Sequence, residues 1–216
     1  MHGVRHRNFF YVAVLVAALT SVALAADKVE SIGPPPSGVS NDLRQAVEDK
    51  GYRVTLDSGW TGEFWFAKNL TTTKKDVPGA LYPGLSDGEF VGVVNFPRGF
   101  SDFRGQSLPA GMYSLRYQLL PQDGNHLGVA PNPDFLLAIP AADDSHPDQS
   151  YPYKKLVALS AKSAGGNHPA VIAMEGGGEA GNVALTDQGY AVFTVAISSS
   201  SGSVNLGIIV KGSSSQ

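Results

Sequence analysis

From Tyr52 onward the chain is cut into short apolar runs, most of them alternating, each closed by glycine, proline or an Asp/Asn turn. Tyr52, Val54 and Leu56 alternate with Arg53, Thr55 and Asp57, and Phe64 and Phe66 share a face opposite Trp65. Side chains of a strand point to opposite faces in turn, so this period marks strands with one face buried. Further runs fall at 89–96, 112–120, 135–140, 156–161, 170–175, 190–198 and 204–211. Eight or nine short strands spaced by turns predict an all-β domain, an antiparallel β-sandwich, and exclude alternating β-α-β units. One short N-terminal helix is predicted over 40–50: Ser40 caps it, Asp42 sits in the first turn, Val39, Leu43 and Val47 recur at spacing four, and Gly51 stops it.

The ends divide differently. Arg5 and Arg7 precede an apolar stretch from Phe9 to Leu19, and Ala23-Leu24-Ala25 is an A-x-A cleavage site, so residues 1–25 read as a secretory signal peptide. The rival reading is an uncleaved anchor, since 9–26 is nearly long enough to span a bilayer. Residues 26–38, with Pro34-Pro35-Pro36, read as a proline-rich spacer, 39–212 as a single domain and 213–216 as a disordered tail. The chain has no cysteine, which excludes disulfides, thiolate metal sites and a cysteine nucleophile. Export without cysteine fits a bacterial periplasm or secretion to the exterior. With 16 basic against 19 acidic residues the net charge is −3, which disfavours nucleic acid as a partner. Cleavage of the signal would leave no stable membrane anchor.

Motifs that carry chemistry are sparse. Gly176-Gly177-Gly178-Glu179-Ala180-Gly181 satisfies G-x-G-x-x-G, but the residues after it read as strand and turn, so no helix N-terminus faces a pyrophosphate. Two histidines share a tripeptide, Gly124-Asn125-His126 and Gly166-Asn167-His168. His126 and His168 with Asp123 and Asp134 form the candidate set for a divalent metal. The same tripeptides read more simply as turns, because Gly and Asn tolerate positive φ. Asp143, Asp144 and Asp148 make the loop at 141–150 acidic enough to hold calcium, or simply solvated. Ligand contacts are expected from Asp123, Asn125, His126, Asp134 and Arg104, and from Trp60, which sits at a turn and could stack on a sugar.

The segments Asp102-Phe103-Arg104-Gly105-Gln106, Leu108-Pro109-Ala110-Gly111-Met112-Tyr113-Ser114-Leu115 and Asp123-Gly124-Asn125-His126 give the chain a distinctive central third. In these it resembles uncharacterised exported β-sandwich proteins of acidobacterial type. The resemblance implies export and a sandwich, and carries no activity. The reading is thus of an exported, non-catalytic binding module that meets a small molecule, a glycan or a protein through loops at one end. Two alternatives remain: a metal-dependent enzyme on the same His/Asp loops, and an assembly protein pairing through an edge strand, for which 204–210 is the candidate.

Overall fold

The computed structural model describes residues 26–73, 77–121 and 130–213. The signal-peptide expectation, the turn holding Asp123, Asn125 and His126, and the last three residues of the tail lie outside the described residues.

Ten strands form one antiparallel sheet. In chain order they are β1 (Lys28–Ile32), β2 (Gly51–Thr55), β3 (Thr61–Phe66), β4 (Phe90–Phe96), β7 (Gly111–Leu119), β8 (Asp134–Pro140), β9 (Ala170–Gly176), β10 (Asn182–Leu185), β11 (Ala191–Ser199) and β12 (Gly202–Lys211). A separate hairpin, β5 (Phe100–Ser101) with β6 (Ser107–Leu108), interrupts the meander between β4 and β7. The spatial order is β1-β2-β3-β4-β7-β8-β9-β12-β11-β10. After β9 the chain crosses to the far edge, lays down β10, and returns through β11 so that β12 pairs with β9. The edge strands β1 and β10 approach one another, so the sheet is a near-closed barrel. The expectation of antiparallel β structure holds. The sheet is not clearly a sandwich of eight or nine strands.

Aromatic side chains fill the barrel. Phe64 and Phe66 of β3 stack with ring centroids 6.0 Å apart, and Phe193 of β11 lies 5.5 Å from Phe64. β3 and β11 are not neighbours in the sheet, so this contact spans the interior. Leu115 and Tyr117 of β7, Leu136 and Ala138 of β8 and Met174 of β9 join the same buried cluster. Phe135, Leu137 and Ile139 point the other way, yet they too are buried. The wall at β7–β9 is therefore covered on both faces, and β8 reads as a continuous apolar run.

Helix α2 (Tyr153–Ala164) provides the outer cover. Here the expectation of a strand at 156–161, and of a single helix, is corrected. Leu156, Ser160 and Ser163 are the buried positions, at spacings of four and three, which is the helical period. Gly165 ends the helix in the left-handed region at φ 64°. Small serines let the helix approach closely: Ser160 Oγ lies 2.9 and 3.1 Å from the Ala138 and Ala170 carbonyls and accepts from the Ala170 N–H at 2.9 Å. The predicted N-terminal helix is shorter than expected, α1 (Asn41–Ala46), capped by Ser40.

Two further readings change. Lys28–Ile32, expected within the spacer, is the edge strand β1, so only Gly33 to Ser40 links it to α1. Residues 204–210 form no edge, because β12 is flanked by β9 and β11 on its two sides.

Candidate functional site

The outer wall carries a cleft of about 210 Å3 between α2, the starts of β8 and β9, and the turn of the β5–β6 hairpin. Tyr153 and Val157, one helical turn apart, form one side, and Phe135 and Val171 form the floor. Arg104, Asn167 and His168 supply polar groups. No Asp or Glu is among the described residues that line it.

Asp102 positions Arg104. Its buried carboxylate accepts from the Arg104 and Gln106 N–H groups through Oδ1 at 3.0 and 2.8 Å, which tightens the hairpin turn. Arg104 Nη2 then donates to the Pro169 carbonyl at 3.0 Å, and Gln106 Nε2 donates to the same oxygen at 3.1 Å. The turn is thereby fastened beside His168. Asp102 Oδ2 lies 3.8 Å from Arg104 Nη2, beyond hydrogen-bond reach. Arg104 Nε is buried with no hydrogen-bond partner among the described residues.

Arg116 shows the opposite condition. On β7 it alternates with Leu115 and Tyr117 and so reads as solvent-facing, yet it is 1% exposed. Nε and Nη2 grip Asp144 at 2.7 and 2.8 Å, while Nη1 and Nη2 reach the carbonyls of Gly88, Gln149 and His146. Ser114 Oγ adds a bond to Asp144 at 2.6 Å. This fork–fork pair ties the connection after β8 to the wall and delivers the chain to α2. The acidic pair expected to serve calcium is divided: Asp144 belongs to Arg116, and Asp143 meets Lys162 at 3.0 Å.

The other expected site residues that are described, Asp134, His168 and Trp60, lie apart. Asp134 shares the inner face of β8 with Leu136, while its neighbour Phe135 faces the cleft. Its carboxylate accepts from the Leu81 N–H at 2.7 Å, the Tyr82 N–H at 2.9 Å and the Tyr117 hydroxyl at 2.6 Å, which anchors the 81–82 segment. Burial, together with the adjacent Asp134 charge, pushes the Tyr117 hydroxyl well above its ordinary pKa. Burial likewise raises Tyr82, to about 12. His168 is exposed at the cleft, on the outside of the wall. Asp134 and His168 thus stand on different sides, and among the described residues no group of three or more His, Cys, Asp or Glu could hold a metal ion. Trp60 is half-buried elsewhere, packed on Phe96 and Phe100 at 6.0 and 5.8 Å and donating to the Gly99 carbonyl at 3.2 Å.

A second, more open concavity of about 430 Å3 lies between α1 and the 86–90 and 147–150 segments. Glu89 lines it, raised in pKa by burial and accepting from the Thr71 N–H at 2.6 Å. The sequence reading missed Val157 because it took 156–161 for a strand, and Tyr153 because it left that residue in the connection before it. Their spacing of four was the available signal.

No family model, curated protein or solved structure matches the chain.

Proposed function

We propose that this chain is an exported, non-catalytic binding module that holds a small molecule in the α2–β8–β9 cleft. The observation that carries the reading is the lining itself: Leu120, Ala130, Phe135, Val157, Pro169 and Val171 give an apolar bed beside a few convergent polar groups. Small-molecule sites have this composition. At about 210 Å3 the cleft is below the roughly 300–1,000 Å3 of drug-sized pockets, so the ligand is small. Export to the periplasm or exterior rests on the Arg5/Arg7, Phe9–Leu19 and Ala23-Leu24-Ala25 layout. Among the described residues no helix is long and apolar enough to cross a membrane.

Hexan-1-ol, titrated against isotope-labelled protein, tests the reading. Amide shifts should concentrate on Phe135, Val157, His168 and Val171, and Val157→Trp should abolish them by filling the space. Shifts centred on the Glu89 concavity, or unchanged binding by Val157→Trp, would refute the assignment.

A further inference from the structure

Resting on that binding reading, we propose that the cleft selects small apolar carboxylates, with the carboxylate on the Arg104 guanidinium and the hydrocarbon on Phe135, Val157 and Val171. The contrast between two arginines carries the argument. Arg116, 1% exposed, is saturated: a bidentate carboxylate and three carbonyls take up its donors. Among the described residues Arg104 is fixed by one neutral carbonyl, that of Pro169, and its ion-pair partner, Asp102 Oδ2, stands 3.8 Å away.

A guanidinium presents a planar fork whose geometry matches a carboxylate, and a partly buried one gains most from such a partner. Arg104 is 26% exposed in its side chain, and among the described residues the lining of the cleft it borders carries no acid. The Pro169 carbonyl holds the side chain and Asp102 holds the turn that carries it before any ligand arrives, so little rotamer freedom is lost on binding. Asn167 and the exposed His168 also line the cleft and bring side-chain N–H groups suited to the second carboxylate oxygen.

Size limits the rest. At ~30 Å3 for each displaced water, about 210 Å3 corresponds to about seven waters. An acid with a chain of roughly six carbons, such as hexanoate, is of that scale.

The experiment is a parallel titration of hexanoate, hexan-1-ol and hexylammonium against the parent, Arg104→Gln and Arg104→Lys, by calorimetry and amide shifts. Gln removes the charge and ends two bonds short of Nη2, but Gln106 Nε2 still donates to the Pro169 carbonyl and Asp102 still accepts from the two turn N–H groups, so the hairpin turn is retained. Hexanoate should bind the parent about ten- to a hundredfold tighter than hexan-1-ol, the range for a hydrogen bond to a charged group. Hexylammonium should bind more weakly than the alcohol. In Arg104→Gln the hexanoate advantage should fall to near one with hexan-1-ol unchanged, and in Arg104→Lys an intermediate advantage should remain. Equal binding of hexanoate and hexan-1-ol by the parent, or a preference that survives Arg104→Gln, overturns the carboxylate proposal while leaving the cleft as a binding site. Failure of all three probes to shift the cleft residues overturns both.

Discussion

Replacing Asp144 by alanine removes the one carboxylate that Arg116 grips among the described residues. The pair is buried on both sides, with side chains 1% and 0% exposed, so water cannot take over the vacated bonds. Three donors end on Asp144: Arg116 Nε, Arg116 Nη2 and Ser114 Oγ. The guanidinium would remain pinned by its carbonyl partners and stacked 5.1 Å from Tyr151, charged and uncompensated. Stripping one partner from a buried pair costs about 3–5 kcal/mol, whereas exchanging both for apolar groups of similar shape is often neutral. At about 2–4 °C per kcal/mol for chains of about 150–250 residues, the melting temperature should fall by roughly 6–20 °C. Urea melts of the parent, Asp144→Ala, Arg116→Met and Arg116→Met with Asp144→Leu complete the test. The double variant should recover most of the loss. A change below about 1 kcal/mol in Asp144→Ala, or a double variant no better than the sum of the singles, would refute the buried clamp.

Two further outcomes are expected. Tyr82 and Tyr117 have raised pKa values, so their neutral form is favoured in the folded state; stability should hold below pH 10 and fall above it as the unfolded tyrosines ionise. The Tyr82 contribution is lost between about 10 and about 12, so Tyr82→Phe should flatten an alkaline stability profile in that window, and an unchanged slope would contradict its burial. A Cβ added at Gly51 falls on the Trp65 indole, whose Nε1 donates to the Gly33 carbonyl at 2.8 Å. Gly51→Ala should therefore cost about 1–3 kcal/mol and red-shift tryptophan emission, and unaltered emission with unaltered stability would show that the segment can give way.

What the sequence disclosed follows from what side-chain pattern can encode. β3, β4, β7, β8, β9, β11 and β12 have buried faces, and their runs were legible. β1 and β10 are held by backbone pairing at the sheet edges with little burial, and Lys28, Glu30 and Leu185 lend them no apolar period. The α2 run Leu156-Val157-Ala158-Leu159 looks like strand, because two of the positions that mark its buried face, Ser160 and Ser163, are polar and buried through hydrogen bonds. Arg104 and His168 could be singled out as polar residues in turns. Their meeting depends on Pro169, a contact sixty-five residues apart that no local pattern carries. Asp134 was singled out for its carboxylate, and the alternation of β8 turns it inward.

The crossover after β9 also sets a timetable for folding. β9 finds its second neighbour only when β12 arrives, through Leu206, Gly207 and Ile208. Until then the growing chain exposes an unfinished strand margin rich in Ile172 and Met174, a surface that invites mispairing between copies. Pairings this distant in sequence also slow folding. Closure of the sheet therefore waits on the residues beyond β9, and a chain cut before Leu206 would leave β9 with one neighbour only.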